Sequence, residues 1–101
     1  MLYMILGTDT PGALPRRLEA RPAHVARLKE LEAAGRLVLA GPHPAVDSAA
    51  PGEAGFLGSL IVAEFPSLEE ARAWAAADPY VGAGVYGEVV VRPFVRVLPG
   101  G

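Results

Sequence analysis

Two segments of this chain, LYMILGT at residues 2–8 and FLGSLIVAEF at 56–65, are apolar on both of the faces that a strand presents. In the first, Leu2, Met4 and Leu6 oppose Tyr3 and Ile5. In the second, Phe56, Leu60 and Val62 oppose Leu57, Ile61, Ala63 and Phe65. Side chains alternate along a strand, so strands of this kind have to be covered on both sides. One cover must come from helices, and the spacing of the remaining apolar residues supplies two candidates.

Residues 14–34 carry a helical pattern with a fault at Pro22, because proline suits a first turn and disrupts an interior. The expectation is a short helical turn over Leu14–Ala20 and a main helix from Pro22 to Ala34, stopped by Gly35. Residues 36–42 read as a second strand, and 42–55 as a loop dense in Pro, Gly and Ala, long enough to be functional or interfacial. Ser67 and Glu70 form an S-x-x-E capping box opening a helix that runs to about Ala77. Asp78-Pro79 ends it, since the residue before a proline resists helical geometry. Residues 85–98 read as a last strand, with Pro93 marking an edge position or bulge. The order β-α-β-β-α-β, with right-handed crossovers, predicts one α+β domain over 1–101. Its arrangement is ferredoxin-like: a four-stranded antiparallel sheet with both helices on one face. The other face would remain an apolar patch larger than a soluble monomer normally shows. That predicts a homodimer packed sheet to sheet, unless the long loop folds over it.

Composition removes several function classes. A formal charge of −2 and no basic stripe argue against nucleic acid. The absence of cysteine removes disulfide and thiolate chemistry. The apolar start is too short for a membrane span and has no basic flank, so no membrane partner is expected and a cytoplasmic location is.

Two ionisable residues sit where a core would be expected. On the wheel of HVARLKELEAAG, His24 falls within the apolar arc of Val25, Leu28 and Leu31. Asp78 falls on the face of Leu68, Ala71 and Ala75. An unpaired buried carboxylate is costly, so an inward Asp and an inward His suggest an acid/base pair. Taken singly, each also has a bland reading, as a half-buried packing histidine and a helix-ending Asp-Pro turn. Arg17 and Arg21 share the side of His24 if the helix continues through Pro22. Two guanidiniums there would keep the imidazole a neutral base and would bind a carboxylate or phenolate. Otherwise they reach for water or pair with Glu19 and Glu32. Ser59, beside Gly58, would hydrogen-bond a ligand; Tyr80 and Tyr86 flank the 82–84 turn and would line a pocket or simply pack. A Ser-His-Asp hydrolase fits poorly, since there is no G-x-S-x-G elbow. His43, Asp47 and Glu53 with His24 match no metal-ligand spacing, so no metal is expected.

RRLEARPAHVARL at 16–28, GRLVLAGPHPAVDS at 35–48, AGFLGSLIVAEFPSLEEARAW at 54–74, ADPYVGAGVY at 77–86 and VRPFVRV at 91–97 together resemble the YciI-like (YCII-related) family. The resemblance implies a dimeric α+β barrel and a His/Asp-centred site falling on His24 and Asp78. It also implies kinship with a dehydrochlorinase of a chlorinated hydroxyhydroquinone and, more widely, with muconolactone isomerases and cofactor-free monooxygenases. The expected function is then a cofactor-independent lyase or isomerase acting on a small anionic aromatic or lactone. His24 and Asp78 would be catalytic, and Arg17, Arg21, Ser59 and Tyr80 would bind substrate. The competing expectations are a non-catalytic ligand-binding dimer and an accessory protein without a pocket.

Overall fold

In a computed structural model, which describes residues 1–100, the elements follow the expected order with two additions, a 3-10 turn and a short third helix. They are β1 (Leu2–Asp9), α1 (Leu14–Ala33), β2 (Leu37–Pro44), a 3-10 turn (Gly52–Ala54), β3 (Phe56–Glu64), α2 (Leu68–Ala76), α3 (Pro79–Gly82) and β4 (Tyr86–Phe94). The sheet order is β2-β3-β1-β4, antiparallel throughout, which places β4 and its Pro93 at an edge.

The helix expected to break at Pro22 does not break. α1 runs unbroken through twenty residues with Pro22 inside it. Pro22 removes the N–H that would bond the Leu18 carbonyl. Both residues lie on the exposed face, where water can satisfy that carbonyl instead. The helix ends as expected. Gly35 takes a left-handed φ of 71°, the Gly35 N–H donates to the Glu32 carbonyl and the Arg36 N–H to the Leu31 carbonyl, a Schellman closure. Two further boundaries differ from expectation. β2 continues to Pro44, and the last strand stops at Phe94 rather than 98. The Ser67 cap is present, its Oγ accepting from the Glu70 N–H at 3.2 Å.

α3 was not foreseen. Asp78 leaves α2 in extended geometry (φ −60°, ψ 132°), as a residue before proline should, and then caps a new turn. Asp78 is therefore buried because it starts α3, not because it continues the apolar face of α2.

Both helices cover one face of the sheet. Tyr3, Ile5, Ile61, Ala63 and Phe65 pack there against Leu31 of α1 and Ala71 and Ala75 of α2. Arg27 ties the helices together, its Nη2 donating to the Trp74 carbonyl at 2.9 Å with its guanidinium over the indole. The opposite face follows the other strand parity. Met4 faces Val62, Leu6 faces Leu60 and Val90, and Leu39 faces Val62. No helix covers this face, and Leu39 remains 49% exposed and Phe94 39% exposed. Among the described residues no helix is long and apolar enough to cross a membrane.

Candidate active site

The three buried positions of α1 are Arg17, His24 and Leu31, seven residues apart, so they form one inward stripe. Two of the three are ionisable. Each has found a carboxylate.

His24, 7% exposed, places Nδ1 2.9 Å from both oxygens of Asp78, which is 3% exposed. A ring nitrogen facing a carboxylate carries the proton, so Nδ1 donates and Nε2 is left as the basic atom. Asp78 Oδ1 also accepts from the Tyr80 N–H at 2.8 Å, the cap that starts α3. The imidazole lies flat on the Tyr80 ring, with centroids 3.9 Å apart and planes 12° apart. The cap, the hydrogen bond to Asp78 and the stack together hold the imidazole in one orientation. His24 and Asp78, expected as a pair, are thus in contact through α3, the element the sequence did not reveal.

Arg17 is held by Asp9, not by Glu19 or Glu32. Nε donates to Oδ2 at 2.8 Å and Nη2 to Oδ1 at 3.0 Å, while Nη2 also donates to Ser59 Oγ at 2.7 Å. Its guanidinium lies over the rings of Tyr80 and Phe56. Burial disfavours the Arg17 charge, but the bond and charge of Asp9 outweigh it and hold the pKa above the ordinary arginine value. The arginine expected to bind substrate is therefore already paired with a carboxylate, and the same Nη2 also donates to Ser59. In the sequence, Asp9 with Pro11 and Gly12 marks only the end of a strand. The signal that would have found it is the inward arginine itself, which needs an acid within reach.

These groups open on a cleft of about 320 Å³ between α1 and the β2–β3 edge of the sheet. Val25, Leu28, Leu37 and Ile61 supply apolar walls, and Arg17, Arg21, His24, Ser59 and Tyr80 line one end. Lys29 and Glu32, not anticipated at the site, line it further along α1. Arg21 and Lys29 are exposed and have no carboxylate at ion-pair distance among the described residues. Eight helical residues separate them by about 12 Å, so the α1 wall carries two unpaired cations along with the one carboxylate of Glu32. His43, Asp47 and Glu53 are exposed, and no three His, Asp or Glu side chains among the described residues are grouped to hold a metal.

Beneath the cleft lies Tyr86, 8% exposed, its ring edge-on to Tyr80. Its hydroxyl has no hydrogen-bond partner among the described residues, a state that costs about 1–3 kcal/mol for a buried polar group. Burial pushes its pKa up to about 12, and burial raises that of Tyr80 too, with Arg17 and Arg21 pulling Tyr80 the other way. In the unfolded chain a tyrosine ionises near 10. The fold therefore favours the neutral phenol, and stability from this source is full below pH 10. It is lost as pH rises through 12, by about 2–3 kcal/mol for Tyr86. Urea midpoints measured at pH 9 and 11.5 should show that fall, and Tyr86→Phe should remove most of it; a variant falling as steeply as the parent would refute the assignment.

The YCII-related domain model matches residues 1–95. The chain belongs to the YCII-related family. It is 60% identical over 98 residues to Protein YciI of Escherichia coli, covering 97% of this chain and 100% of that one. It is 39% identical over 84 residues to the derivative of benzaldehyde biosynthesis cluster protein C of Emericella nidulans, covering 82% and 83%. Among solved structures it is similar to the 5-chloro-2-hydroxyhydroquinone dehydrochlorinase TftG of Burkholderia phenoliruptrix, in complex with 2,5-dihydroxybenzoquinone. The TM-score there is 0.81, with 27% identity and 94% of each chain covered. The ferredoxin-like α+β fold of this YCII-related chain is thus shared with that enzyme.

Proposed function

We propose that this protein is a cofactor-independent enzyme that moves a proton on a small anionic substrate, aromatic or an enolisable lactone, within the α1 cleft. The observation that carries the reading is the His24–Asp78 pair, buried, held in one tautomer and opening on a cleft with unpaired cations on its wall. Nε2 of His24 takes the proton from carbon as base. Asp78 holds the ring and stabilises the imidazolium that results. The electron pair left behind either expels an anionic leaving group, which is elimination, or the proton is returned at another atom, which is isomerisation. Arg21 holds the substrate anion, Ser59 donates a hydrogen bond to it, and Tyr80 forms the floor under His24. Similarity to a dehydrochlorinase that binds a dihydroxybenzoquinone supports a small cyclic substrate.

A screen of small phenolic and lactone acids for thermal stabilisation tests this, because a ligand of the folded state raises apparent stability by mass action. Hits that are converted to product support the enzyme. Hits that bind for hours at varied pH without product would turn the reading to a non-catalytic ligand-binding protein.

The same reading includes a homodimer packed through the open sheet face, and a cytoplasmic setting. Leu39→Glu would place a charge on that face and is expected to convert the dimer to monomer in sedimentation equilibrium. A parent chain that sediments as a monomer at micromolar concentration would refute the dimer.

A further inference from the structure

Tyr86 is delivered to its place at a cost elsewhere in the sheet. It opens β4 opposite Asp9 of β1, yet its ring does not stay over its own strand. A Cβ on Gly7 would lie 2.5 Å from the Tyr86 Cζ, so the far end of the ring crosses β1 where residue 7 has no side chain. Gly7 is paired directly with Ser59 on β3. The phenol thus reaches across a strand to the side of Ser59, near enough for Ser59 to draw its pKa down, while no hydrogen bond of full geometry forms between the two hydroxyls. A phenylalanine would fill the same space without burying an unpaired hydroxyl.

Ser59 decides what that hydroxyl can do. A serine hydroxyl has one proton to donate and two positions at which to accept. One is taken by the Arg17 Nη2 at 2.7 Å, and Ser59 itself lines the cleft. We propose that Tyr86 is a positioning residue whose hydroxyl, once a ligand is bound, donates to Ser59 Oγ and so commits the Ser59 proton to an anionic oxygen of that ligand. Tyr86 remains a donor throughout the working pH range, because burial, helped by Asp78 and Tyr80, keeps it protonated against the pull of Ser59 and Arg17. Two donors on one serine oxygen, one of them cationic, polarise its remaining O–H outward. The ligand class follows: an oxygen that carries or develops negative charge, a phenolate or enolate, is selected over a neutral hydroxyl. This rests on the reading that the cleft takes a small anionic ligand.

The test uses the full chain and 4-nitrophenol, whose absorbance reports whether the bound probe is phenol or phenolate. The parent protein should bind the phenolate preferentially and lower the pH at which the bound probe ionises. Tyr86→Phe should lose roughly 5- to 10-fold of that preference, the size expected for one hydrogen bond between neutral groups, with an unchanged or higher Tm. Ser59→Ala should lose at least as much, and the double variant no more than Ser59→Ala alone. Unaltered phenolate preference in Tyr86→Phe, or losses that add in the double variant, would overturn the role of Tyr86 while leaving the cleft assignment intact. Failure of the probe to bind the parent protein at all would overturn both.

Discussion

His24→Ala is expected to lower turnover of any substrate of the cleft by about 10²–10⁴-fold while the chain stays folded. The magnitude follows from the removal of the atom that takes the proton. Arg21, Ser59 and the apolar walls remain, so ligand affinity should fall far less than rate. The fold should survive because Asp78 keeps its bond from the Tyr80 N–H and α3 keeps its cap. His24→Gln separates stability from chemistry further. Its amide can still donate to Asp78, so it should be as inactive as alanine and more stable. Steady-state rates with circular dichroism of each variant check this, and full activity in either variant would sink the mechanism.

The second large effect is structural. Asp9→Ala leaves Arg17 buried, charged and without its carboxylate, since the pair is about 95% shielded from solvent on both sides. Removing one partner of such a pair typically costs about 3–5 kcal/mol. Urea unfolding at a fixed protein concentration should show that loss. Turnover should fall as well, because Arg17 is what directs Ser59 towards the cleft. A change in stability within about 0.5 kcal/mol would mean that the arginine finds another partner and that Asp9 does not hold the site. Replacing both residues with apolar ones of similar volume should recover much of the stability without restoring the orientation of Ser59.

The element order and the two-helix layer were readable because short apolar runs and capping signals act locally, as Ser67 and Gly35 show. His24 and Asp78 were readable as misplaced charges, but their contact was not. It depends on α3, a four-residue helix begun by Asp78 itself and too short to leave a periodic pattern. Pro22 misled because proline's cost depends on whether water reaches the freed carbonyl, which is a matter of helix facing rather than sequence. Asp9 was invisible for a related reason: its partner is eight residues away around a turn, and nothing in the strand signals that the acid points inward. Gly7 and Gly58 give the sheet its close approaches. A side chain at 58 would collide with the Gly7 carbonyl oxygen, and one at 7 with Tyr86. Glycines in a strand mark such approaches without saying what comes near.

In the proposed mechanism Asp78 fixes the proton on Nδ1 and so makes Nε2 of His24 the atom that moves substrate protons. Asp78→Asn probes that tautomer. The amide can donate to Nδ1, which puts the histidine proton on Nε2 and removes the base while preserving shape. The measurement is deuterium uptake from D2O into a stabilising phenolic or lactone ligand, followed by NMR for parent and variant. Uptake is expected with the parent protein, with a loss of at least about 100-fold in Asp78→Asn at nearly unchanged ligand affinity. Uptake at the parental rate in Asp78→Asn would contradict that mechanism.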